Sequence, residues 1–178
     1  MSGWGFLMYS YENMILGFDA STTCCGWAFY DGKDIVDAGF IDTSKLETNK
    51  EKTFHVISVL EANPNISKTT TINLEAALSG FMGGRTRQQV IIKLARFNAV
   101  FEYIISEHWA IAVNLIAVTT ARKNVFGKCR IKGVDPKEYV KSQLSQRINL
   151  TKFDKTNKIG NWDQHNSDMY DAMVMAMA

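Results

Sequence analysis

The sequence predicts an α/β fold, a mixed five-stranded sheet flanked by helices. Three observations carry that expectation. Three short apolar runs near the N-terminus, 14–20, 26–30 and 35–41, are separated by turn residues and are too short for helices. Helical periodicity over 47–60 and 86–108 then alternates with two runs of buried-strand composition, TTINL and VNLIAV. Finally, 178 residues that are 46% hydrophobic and 21% charged, with 2 prolines, suit one packed domain and exclude a disordered or collagenous chain.

Each element has a local justification. MILGFDA (14–20) is an apolar run ending in an acid, and Ser21 to Cys24 turn the chain. Asp31-Gly32 is a hairpin signal between the second and third strands, so the first three strands form an antiparallel meander. The helix over 47–60 presents Phe54, Ile57 and Leu60 on one side and stops before Asn63-Pro64. The fourth strand, 70–74, is ended by Glu75; the glycine-rich passage 79–84 leads into the long helix. The fifth strand spans 113–118, a short helix follows over 119–126, and 127–133 is a basic loop. Asp135 caps a helix that has Pro136 at its first position and runs to Gln146. Residues 150–164 read as a polar loop, and a last helix starts at Asn166 or Ser167.

Charge is unevenly spread. Residues 1–84 hold 5 Lys/Arg against 10 Asp/Glu, 85–147 hold 12 against 4, and 148–178 hold 3 against 4. A strongly basic middle beside acidic flanks suits a polyanion-binding surface next to a carboxylate site, although a solvated basic face has the same composition. No apolar run is long enough to span a bilayer, and the N-terminus lacks a signal-peptide pattern. The three cysteines, Cys24, Cys25 and Cys129, form no CxxC pair. A soluble protein of a reducing, cytoplasmic compartment is expected.

Four acids stand where separate parts of such a sheet converge. Asp19 ends the first strand, Glu75 ends the fourth, and Asp168 and Asp171 lie three apart on the last helix and so share a side. Each alone reads equally as a turn or cap residue. Together they repel, divalent cations relieve the repulsion, and hard oxygen ligands suit Mg2+ or Mn2+. Two such ions roughly 3.5–4 Å apart can activate water and stabilise the leaving oxygen in phosphodiester cleavage.

ILGFDASTTCCGWAFY (15–30) resembles the first motif of the RuvC-type Holliday junction resolvases, a strand-end Asp followed by Ser/Thr-rich residues and a Gly. INLEAALSGFMGG resembles their second-acid motif, with Glu75 as the acid and Phe81-Met82 as the Phe-Met that follows, and DMYDAMVMA resembles the terminal DxxDAxxxA helix. A few extra residues separate Glu75 from Phe81, and residues 1–13 precede the family's usual start as an N-terminal extension to a nuclease domain at 14–178. The resemblance implies an RNase H-like fold, two divalent metals held by Asp19, Glu75, Asp168 and Asp171, and a homodimer cutting symmetric strands of a four-way DNA junction. The divergence looks like that of a phage or viral branch, for which the compartment would be the host cytoplasm.

Further candidates surround these acids. His165, three before Asp168, can ligate metal or move a proton, as an alternative to a solvated loop histidine; Asp163 is a weaker candidate. Arg85 and Arg87 suit phosphate contacts, as do Arg122, Lys123, Lys128, Arg130 and Lys132, whereas Lys93 and Arg96 suit an exposed helix face. Phe81 and Met82, flanked by glycines, suit wedging between bases or stacking on them. Val90, Ile91, Leu94, Phe97, Val100, Phe101 and Ile104 form a stripe broad enough for both sheet packing and a dimer face. Competing readings are a broader branched-DNA debranching nuclease, a non-catalytic DNA-binding scaffold, and an actin-like or sugar-kinase ATPase, whose duplicated domains 178 residues cannot hold.

Overall fold

The computed structural model describes residues 13–77 and 85–178, excepting the side chains of 85–87. Residues 1–12, Phe81 and Met82, and the Arg85 and Arg87 side chains therefore lie outside the described residues.

Five strands, β1 (Met14–Ala20), β2 (Cys24–Tyr30), β3 (Ile35–Asp42), β4 (Thr69–Glu75) and β5 (Val113–Ile116), form one sheet in the order β3-β2-β1-β4-β5. β1, β2 and β3 pair antiparallel, while β4 lies parallel to both β1 and β5. This is the expected mixed sheet, flanked by α1 (Asn49–Glu61), α2 (Arg85–Trp109), α3 (Val118–Phe126), α4 (Pro136–Ser145) and α5 (Asn166–Met177). No helix among the described residues is long and apolar enough to cross a membrane.

Side-chain alternation along β1 divides the core into two layers. Met14, Leu16 and Phe18 join Ile72 and Leu74 of β4 and pack on Val56, Ile57 and Leu60 of α1 and Phe97, Phe101 and Ile105 of α2. The opposite face of the sheet packs on α5, with α3 and α4 contributing Ala121, Val140 and Leu144. Two glycines let α5 lie directly on the strands. A Cβ on Gly17 would fall 2.3 Å from the Ala176 nitrogen, and one on Gly26 would fall 2.1 Å from the Asp168 carbonyl oxygen. Asn73 completes the contact by donating to the Met175 carbonyl at 2.9 Å.

Local chemistry sets the boundaries. Asp31 Oδ1 accepts from the Lys33 and Asp34 amides at 2.8 and 2.7 Å, and Gly32 takes φ 92°, closing the expected hairpin. α1 begins at Asn49, because Thr48 and Glu51 form a reciprocal capping box. Asp135 caps α4 through the Lys137 and Glu138 amides, with Pro136 first in the helix. Several boundaries differ from expectation by a residue or two, the start of α1 at Asn49 rather than 47 among them, and two more have a clear local cause. β2 starts at Cys24, where Ser21 closes a tight turn and Cys24 pairs with Asp42. β5 stops at Ile116, because the Ala117 carbonyl accepts from the Thr120 and Ala121 amides and draws Val118 into α3.

Candidate active site

Register brings the first two acids together. Phe18 of β1 pairs with Leu74 of β4, so Asp19 and Glu75 follow side by side at the ends of neighbouring parallel strands. Both lie on the face covered by α5, because Phe18 and Leu74 point into the opposite core. Gly26, the β2 partner of Asp19, admits the first turn of α5 and with it Asp168 and Asp171. The sheet thus gathers the four sequence-predicted acids at one end.

Their electrostatics follow from burial and mutual repulsion. Burial above all, then the charges of Glu75, Asp171 and Asp168, holds the Asp19 carboxyl well above the usual carboxylate range. Burial, with Asp171 beside it, pushes Glu75 up to about 7 despite the opposing charge of Arg122. Burial also raises Asp171, against the pull of the Arg122 guanidinium, which donates to Asp171 Oδ1 at 2.9 Å. Four clustered carboxylates are a donor set that fits hard cations such as Mg2+ or Mn2+.

Arg122 is expected from sequence to face phosphate, but its side chain is only 13% exposed and its guanidinium lies on Asp171. Lys123, Lys128, Arg130 and Lys132 are exposed, and none is ion-paired among the described residues. Lys128, Arg130 and Lys132 follow α3 on a loop anchored by the Tyr139 hydroxyl, which donates to the Lys128 carbonyl at 2.8 Å. Asp163 serves its own turn, accepting from the His165 amide at 2.9 Å.

His165 does reach the acids: its Nδ1 lies 3.0 Å from Asp168 Oδ2. With Cys24 they form a triad whose ligand atoms all lie within 4.8 Å of one another, the one such group of three among the described residues. This spacing supports metal binding. Sequence reading passed over Cys24 because it assigned that residue to a turn, and β-pairing is what points its side chain toward α5. It also passed over Lys137, whose Nζ donates to Ser167 Oγ at 2.8 Å beside Asp168. The helix start at Asp135-Pro136 places Lys137 in the first turn of α4, but no local signal connects that turn with α5.

No family model matches the sequence, and no curated protein matches it. Solved structures do. The RuvC structure of Thermus thermophilus is 11% identical with a TM-score of 0.59, covering 92% of this chain and 91% of that one. T. thermophilus RuvC in complex with a Holliday junction substrate is 13% identical with a TM-score of 0.56, covering 93% and 90%. The chain shares the RNase H-like fold of these RuvC structures. At these identities the likeness extends to the fold alone.

Proposed function

We propose that this chain is a metal-dependent, structure-specific DNA endonuclease that cuts Holliday junctions by paired symmetric nicks. The observation that carries the reading is the convergence of Asp19, Glu75, Asp168 and Asp171 at one end of the sheet, on a fold shared with a protein solved with a Holliday junction substrate. In this reading the four acids would hold two Mg2+ or Mn2+ ions, whose chemistry there would be activation of the attacking water and stabilisation of the leaving oxygen of the phosphodiester. Arg122 fixes the orientation of Asp171 and offsets part of the cluster's charge. Lys123, Lys128, Arg130 and Lys132, with Arg85 and Arg87, grip backbone phosphates, while Phe81 and Met82 engage the branch point.

Two symmetric nicks call for two sites, and hence a homodimer. α2 offers a surface for it: Val90 and Tyr103 are 62% and 67% exposed, and a groove of about 540 Å³ between α1 and α2 is lined by Phe54, Val100, Tyr103 and Ile104. The test is incubation with labelled four-way, three-way, flap and linear DNA in Mg2+, Mn2+ or EDTA. Preferential, EDTA-sensitive cutting of the four-way junction is expected. Equal cutting of all branched forms would replace resolution with debranching, and no cutting in either metal would refute the nuclease reading.

A further inference from the structure

We infer that Cys24, His165 and Asp168 form a second metal site, selective for a borderline-soft cation of the Zn2+ class and coupled to the carboxylate cluster through Asp168. The donor set argues for this chemistry. Thiolate sulfur, imidazole nitrogen and carboxylate oxygen are the ligands of Zn2+, whereas Mg2+ takes oxygen ligands. The three ligand atoms lie within 4.8 Å of one another, against the roughly 3.5 Å ligand–ligand separation of a tetrahedral site.

The ligands come from two elements, Cys24 from β2 and His165 with Asp168 from the start of α5. Cys24 is fixed in β2 by pairing with Asp42 and by the Ser21 turn behind it. His165 rests against the Phe40 ring at 5.6 Å between centroids and presents Nδ1 to Asp168. Cys24 is buried, yet it belongs to neither apolar core; it faces a carboxylate instead. His165 and Asp168 are 31% and 25% exposed at the side chain, so two of the three ligands reach solvent. On binding, the Cys24 thiol proton passes to solvent as the sulfur–metal bond forms; His165 binds as neutral imidazole and Asp168 as carboxylate. A cation held there engages Asp168 and withdraws it from the hard-metal cluster, an inhibitory consequence that alone rests on the nuclease reading.

Co2+ titration of the whole protein without DNA tests the site. One equivalent should produce a near-ultraviolet thiolate-to-cobalt absorption and the intense visible bands of tetrahedral cobalt, both displaced by stoichiometric Zn2+ but not by excess Mg2+. Cys24→Ser should abolish the near-ultraviolet absorption, and His165→Gln should weaken Co2+ binding more than about tenfold, with circular dichroism verifying the fold. Absence of the absorption, its survival in Cys24→Ser, or its displacement by Mg2+ would overturn the proposal. Cleavage assays separate the two readings: a spectroscopically intact site in a protein that cuts no DNA would refute the nuclease, not the site. If the protein cuts, Zn2+ should inhibit it at concentrations at least about tenfold lower than those needed for Cys24→Ser; equal sensitivity would overturn the coupling through Asp168.

Discussion

Glu75 and Asp19 illustrate how one pair of residues links charge, stability and chemistry. Asp19→Asn or Glu75→Gln should reduce cleavage by about a hundredfold or more, with junction affinity retained or increased, since removing negative charge near DNA favours binding. Cleavage rates and gel-shift affinities on the same preparations check this. The raised carboxyl of Glu75 also fixes the sign of a pH dependence. A folded-state pKa of about 7 against an ordinary value of 4.5 means that the folded state holds the proton more tightly. Its stabilisation is complete below the unfolded value and is lost as pH rises through 7. The Tm measured in EDTA should therefore fall by on the order of 5 °C from pH 4.5 to 8, and Glu75→Gln should flatten the fall. At this scale the acids were legible in sequence because strand ends and a DxxD helix are local patterns. The Arg122–Asp171 pair was not, since it joins residues 49 apart that only packing brings together.

At the scale of elements, α5 is the part on which the site depends, and glycine is what seats it. Gly26→Ala would place a Cβ 2.1 Å from the Asp168 carbonyl, so either β2 or the first turn of α5 must move. A destabilisation of on the order of 3 kcal/mol is expected, together with loss of cleavage as Asp168 and Asp171 shift; thermal unfolding and nicking assays read both. The basic residues of α3 and of the loop after it lead to a different prediction. Neutralising Lys123, Lys128 and Arg130 together should weaken binding to DNA of any shape and flatten the salt dependence of log K by about 0.9 per lost phosphate contact. An unchanged slope would place these charges on a solvated face. Strand and helix identities were readable because short apolar runs and 3.6-residue periodicity differ physically. The end of β5 was not, since LIAV (115–118) is apolar across the boundary and only the Ala117 carbonyl, capturing the amides of α3, divides strand from helix. In α2, the sequence stripe included Phe97 and Phe101 but omitted Ile105, which is fully buried, and it included Val90, which stands exposed. Periodicity locates a face but not the length over which the sheet covers it.

For the whole molecule, the central claim is that one carboxylate site per chain works in pairs on a four-way junction. A supercoiled plasmid carrying an extruded cruciform distinguishes the possible outcomes in one gel. Two nicks placed symmetrically within the lifetime of one complex linearise the plasmid, whereas separate single nicks relax it to an open circle. Linear product that accumulates without a preceding open-circle phase in Mg2+, and vanishes in EDTA or with Asp19→Asn, is the result the account predicts. Open circle alone, or cutting that persists in EDTA or in Asp19→Asn, would contradict it.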